Sequence, residues 1–106
     1  MLLDEDRIIR EIRRIAEVVG RALQLRSLES HDEAEQSLGA LHRALFGMDR
    51  DLTLRLAPES LAMLLAPSQR EAAITLLESD IALLEGHDDF ATAHLRRAQL
   101  AAVRAM

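Results

Sequence analysis

Large apolar residues recur along this chain at the three- and four-residue spacing of amphipathic helices. The pattern predicts an all-α fold of about five helices, with two antiparallel hairpins bridged by a short apolar helix. The hairpin from 68 to 105, broken at Gly86, is the centre of that reading. In its first helix Ala73, Ile74, Leu77, Ile81 and Leu84 form a face of mostly large groups. Ala72, Thr75, Ser79 and Ala82 form a second face of small ones, where a neighbouring helix can approach to the near end of the usual interaxial range of about 8–10 Å. The helix that follows carries Ala91, Leu95, Ala98 and Ala102 at matching spacing, so these four are predicted to form the opposing seam.

The first hairpin spans 4–46. Its opening helix is predicted to start with Asp4 as N-cap, with Glu5 and Asp6 in the first turn, where the helix dipole favours negative charge. It runs to about Leu28 on a stripe of Ile8, Ile9, Ile12, Ile15, Ala16, Val19 and Leu23. Ser30-His31-Asp32-Glu33 reads as a capping box that opens the second helix. That helix has the stripe Ala34, Leu38, Leu41 and Leu45 and ends near Gly47. The stretch 47–66 holds a turn, one short helical turn around Leu52, Leu54 and Leu56, and a helix with Pro58 at its first position. Leu61, Met63, Leu64 and Leu65 are predicted to be buried there. Ser68-Gln69-Arg70-Glu71 reads as a second capping box, at the start of the central helix.

Composition narrows the class. A chain of 106 residues with 49% hydrophobic and 29% charged residues is expected to be one helical domain spanning 1–106. It has no Cys, which removes disulfides and thiolate chemistry. The acidic start of the chain is unlike a signal peptide, and no run has the roughly 18 apolar residues of a membrane span, so a cytoplasmic location is expected. The formal net charge of -5 argues against general nucleic-acid binding.

From Gly86 onward the chain resembles the second helix of a tetratricopeptide repeat, in which a Gly turn leads to Ala, a large apolar residue four later and Ala three later; Gly86, Ala91, Leu95 and Ala98 match. In the same register the first helix offers Thr75, Glu78, Ser79 and Ala82, of which Ser79 and Ala82 conform. The likeness covers one repeat, whereas binding arrays need roughly three. In its order of elements, including Leu-Phe-Gly-Met-Asp-Arg-Asp-Leu and Pro-Glu-Ser-Leu-Ala-Met-Leu-Leu, the chain is also similar to a family of small bacterial helical proteins of unknown function. That resemblance implies a fold and no site.

The candidate chemistry is sparse. His87 and His94 are two turns apart, about 10.5 Å, too far to share one ion on a straight helix. His31 and His87 read as parts of acidic helix starts, and His42 and His94 as hydrogen-bonded, partly buried residues beside apolar stripes. Asp80 lies beside Leu77, Ile81 and Leu84 and needs an Arg or His of a neighbouring helix as partner. No nucleophile with a base, no phosphate loop and no metal set can be assembled, so no catalytic residue, metal or cofactor is expected.

Two surfaces remain. Between Arg7 and Arg26 there are six Arg and two acids, and Arg7, Arg10, Arg14 and Arg21 share the polar face of the first helix as a candidate face for an anionic partner. Arg7 with Glu11, Arg13 with Glu17 and Glu17 with Arg21 have the spacing of ordinary ion pairs. On the last helix Leu100, flanked by Arg96, Arg97 and Arg104, is a candidate partner contact opposite the seam. The function expected is a non-catalytic interaction or scaffold module, self-associating as a homodimer because a small domain cannot bury all its apolar faces. The alternative is a small nucleic-acid-associated regulator using the arginine face.

Overall fold

The structure is a computed structural model that describes residues 5–106, so the predicted cap at Asp4 lies outside the described residues. It contains six α-helices: α1 (Glu5–Leu25), α2 (Leu28–Phe46), α3 (Arg50–Thr53), α4 (Pro58–Met63), α5 (Arg70–Gly86) and α6 (Phe90–Arg104). Among the described residues there is no strand, and the all-α expectation holds. α1 and α2 form the first hairpin, joined by Arg26 and Ser27; α5 packs on α1, α2 and α6, and α4 lies against α6. α5 is therefore the central helix, with Ala72, Ala73, Leu76, Leu77, Ser79, Asp80, Ile81 and Leu83 all buried.

Local chemistry sets the boundaries. Ser27, not Ser30, caps α2: its backbone is extended, and its Oγ accepts from the N–H of Ser30 at 3.1 Å. The predicted box therefore sits one turn inside the helix, displaced by a competing serine three residues earlier. Gly47 closes α2 in the left-handed conformation, φ 75, and its N–H donates to the Arg43 carbonyl. The short helical turn expected around Leu52, Leu54 and Leu56 forms earlier, at 50–53, and Pro58 opens α4. A turn of 3-10 helix at Pro67–Gln69 precedes α5, and Gln69 Oε1 accepts from the Ala66 N–H at 2.8 Å. The α5/α6 turn is not made by Gly86. Asp88 carries the positive φ of 59, which a short polar side chain tolerates, and Gly86 is the last residue of α5. What Gly86 supplies is clearance, since a Cβ there would stand 2.0 Å from Leu23 Cδ2 of α1.

The core runs through Ile8, Ile12, Ile15, Val19 and Ala22 of α1, Ala34, Leu38, Leu41 and Leu45 of α2, Leu61 and Leu65, the buried face of α5, and Ala93, Leu100 and Val103 of α6. Two expectations about packing are corrected. The small face of α5 meets α1, since Ala72, Thr75, Ser79 and Ala82 line shallow hollows together with Ile9, Ile12, Ala16, Val19, Gly20 and Leu23. The seam on α6 is not Ala91, Leu95, Ala98 and Ala102: the first three are exposed, and the buried face is Ala93, Arg96, Gln99, Leu100 and Val103. Physically, α5 is buried on several faces, so its small face was open to either neighbour. α6 was then free to present the stripe on which Arg96 can reach Asp80. In α4, Leu61 and the following Leu65 are buried, but Met63 and Leu64 are exposed.

Ala93→Leu is thus expected to overpack a site with no free surface and cost about 1–3 kcal/mol. Ala91→Leu and Ala98→Leu should stay within roughly 0.5 kcal/mol of the parent. Urea unfolding midpoints of the three variants would test the assignment of the α6 face.

Candidate functional site

One constellation of convergent polar groups occupies the interior. Asp80 of α5 is fully buried, and each of its oxygens is claimed by a different guanidinium. Oδ1 accepts from Nε of Arg50 at 3.0 Å and from its Nη2; Oδ2 accepts from Nε of Arg96 at 2.7 Å. Arg96, itself fully buried on α6, donates through Nη1 to Thr53 Oγ1 and Gln99 Oε1, both at 2.8 Å, and through Nη2 to the Arg50 carbonyl at 3.1 Å. Gln99 Nε2 then donates to the Thr53 and Leu56 carbonyls. A planar, forked donor suits this arrangement because several acceptors converge on it from fixed directions.

The arrangement satisfies the partner requirement at Asp80, and it explains how α3 is held. That four-residue helix carries Arg50 and Thr53, and its carbonyls cap the far side of the cluster. Burial works to raise the Asp80 carboxyl, but the hydrogen bonds and charge of Arg50 and the charge of Arg96 outweigh it and hold the group below its usual range. Burial also lowers the Arg96 guanidinium, against the charge of Asp80. In Arg50, burial loses to the hydrogen bonds and charge of Asp80, and the group is held above its usual value.

His42 of α2 completes the cluster. It is hydrogen-bonded as expected but fully rather than partly buried, and Nδ1 lies 2.7 Å from the Leu38 carbonyl and donates to it. The other nitrogen, Nε2, has no hydrogen-bond partner and faces Asp80 Oδ2 at 3.7 Å. Burial, followed by the charge of Arg96, lowers its pKa to about 4, so the ring is neutral at pH 7.

Arg50 and Arg96 were the members that sequence reading missed. Arg50 sat in what reads as a turn. Arg96 appears as a flank of Leu100, yet it interrupts the stripe Ala93, Leu100, Val103, and a cation in an apolar stripe opposite a carboxylate in another was the available signal. The candidate contact at Leu100 is corrected: its side chain is 7% exposed and belongs to the core. Arg97 and Arg104 face outward and reach back to α5, with Arg97 Nη2 2.6 Å from Glu85 Oε2 and Arg104 Nη2 3.7 Å from Glu78 Oε1. His94 is exposed rather than partly buried.

The arginine face of α1 is brought together. Arg7, Arg10, Glu11 and Arg14 line one hollow, and Glu11 and Arg14 also rim a second of about 260 Å³ between α1 and α2, floored by Ile15, Val18, Ala40 and Leu41. Arg21 is exposed two turns further along. Of the three ion pairs expected on α1, only Arg7–Glu11 forms, at 3.3 Å; Arg10, Arg13, Arg14 and Arg21 have no ion pair among the described residues. The two hairpin turns also meet: the rings of His31 and His87 stand 3.4 Å apart between centroids, and His31 Nε2 lies 3.0 Å from Glu35 Oε1. Among the described residues no group of three or more His, Asp or Glu is placed to hold a metal ion, and no helix is long and apolar enough to cross a membrane.

Compared with known protein families, curated proteins and solved structures, the chain has no significant match.

Asp80→Ala would leave two buried guanidinia without their anion and is expected to cost about 3–5 kcal/mol in urea unfolding. The pH dependence follows from the signs. In the unfolded chain His42 binds its proton near pH 6.5, and in the fold only near 4. Between those values the unfolded state holds more protons, so stability falls as the pH drops from about 6.5 to 4, by on the order of 3 kcal/mol. Asp80, held below 3.8, acts in a separate window: its contribution is present above that value and is lost at lower pH. Unfolding midpoints of His42→Leu and the parent should lose and keep the upper arm, respectively.

Proposed function

We propose that this protein is a non-catalytic protein–protein interaction module that self-associates as a dimer through the end of the bundle where its two hairpins turn. The observation that carries this reading is a group of large apolar side chains left in water at that end. Leu25 is 59% exposed, Leu28 77% and Phe90 58%. They belong to the α1/α2 and α5/α6 turns, which the contacts of Leu23 with Gly86 and of His31 with His87 bring side by side. An isologous pair needs one such self-complementary patch, and an aromatic flanked by leucines is a suitable anchor.

The interior supports the same reading. The convergent polar groups around Asp80 are engaged with one another, with Asp80 and Arg96 fully buried and Arg50 reaching the surface, and their role is to hold α3, α5 and α6 together. The resemblance of the last hairpin to one tetratricopeptide repeat, and of the whole to small bacterial helical proteins, fits a cytoplasmic module of this kind.

Light scattering across a tenfold or larger concentration range is expected to give a dimer mass, and Leu28→Glu or Phe90→Glu to shift it to the monomer without loss of helicity. A parent that is monomeric throughout would remove the self-association.

A further inference from the structure

We infer that the groove between α1 and α2 is a second docking surface, and that its occupant is an acidic amphipathic helix of a partner protein. The inference rests on reading the chain as an interaction module, but not on the contact at the hairpin turns.

The first argument is charge left unbalanced on the groove's rim. Arg10 has Arg7 at three residues' distance and Arg14 at four, spacings at which like charges on a helix face each other and repel, and the three line one hollow beside the groove. Arg7 is engaged by Glu11, but Arg10 and Arg14 form no ion pair among the described residues. This happens in a chain with 18 acids against 13 Lys and Arg. Glu11 lines the same hollow as Arg7, Arg10 and Arg14 but pairs with Arg7, so a partner's carboxylates would find Arg10 and Arg14 open to them.

The second argument is the floor. Directly beside Arg14 the surface drops into the hollow over Ile15, Val18, Ala40 and Leu41, kept open on the α2 side by the short side chains of Ser37 and Ala40. Its volume of about 260 Å³ is just below the usual range for small-molecule sites and suits one or two branched apolar side chains. A helix laid along the groove puts residues one turn apart, about 5.4 Å, into such a hollow and turns its neighbouring positions towards the rim. Carboxylates there would meet Arg10 and Arg14.

Nucleic acid would use the arginines and leave this floor unused. The chain also has no Trp or Tyr for stacking bases and a net charge of -5. The apolar floor next to unpaired cations therefore selects a protein ligand.

The test uses a fluorescent synthetic helix with leucines on one face and glutamates on the other, and a second with lysines in place of the glutamates. Anisotropy is expected to rise with the acidic peptide only. Binding should weaken about tenfold or more in Arg10→Glu, Arg14→Glu and the exposed-site filling variant Ala40→Phe, and should fall with salt in the parent. Equal binding of both peptides, no binding of the acidic one at concentrations well above micromolar, or indifference to Ala40→Phe would overturn the proposal. So would tighter binding of a DNA or RNA duplex than of the acidic peptide with the same arginine dependence. Light scattering on the same variants separates the two surfaces: unchanged dimer mass supports a distinct groove, and dissociation would make a second copy the occupant and overturn the inference.

Discussion

The fold depends on a carboxylate taken out of water. Asp80 sits on the helix that α1, α2 and α6 pack against, and it is fully buried. An isolated buried charge is so costly that the surrounding chain has to supply partners or the fold fails. Arg50 and Arg96 supply them, and since they come from α3 and α6, satisfying one carboxylate settles where two other elements lie. The remaining donors and acceptors are consumed by Thr53, Gln99 and the carbonyls at 50, 53 and 56.

Such a cluster is worth more as a specification of geometry than as net stability, because well-packed apolar groups would do as well energetically in many cores. Its effect is clearest in α3. Four residues of helix contribute little to an apolar core, and the segment is held mainly by polar bonds that have one correct arrangement. His42 is the exception within the cluster: one nitrogen is bonded, the other faces the carboxylate without a hydrogen bond, and burial keeps it neutral. The same low dielectric that strengthens the Asp80 pairs thus makes this neighbour sensitive to acid.

Outside this interior two surfaces stand out. The hairpin turns expose Leu25, Leu28 and Phe90, and the α1/α2 groove sets arginines beside an apolar floor; Leu52, Met63, Leu64 and Leu95 are exposed singly or in pairs elsewhere. The floor of the groove is continuous with the core, since Ile15 and Leu41 belong to the buried stripes of α1 and α2. The polar cluster around Asp80 is turned inward, while apolar surface and unpaired charge are left outward.

Local rules were legible in the residues alone. Spacing of three and four among Ile8, Ile12, Ile15 and Val19, and among Ala34, Leu38, Leu41 and Leu45, placed two helices and their buried faces, because periodicity and burial are linked within a single element. Gly47 and Pro58 marked boundaries through backbone conformation, also a local property. Asp80 announced that it needed a cation. What the chain by itself could not name was which cation, or which side of α6 would face inward. Ala91, Leu95 and Ala98 make as good a stripe as Ala93, Leu100 and Val103, and both satisfy helical spacing. The choice was made when α6 met α5: only the second stripe carries Arg96 to Asp80, and the cost of a lone buried charge exceeds the preference for small residues at a helix contact. Sequence determined that there would be helices, which residues could bury and that one charge would need an answer; tertiary packing decided which faces met, because that choice is a competition between distant groups.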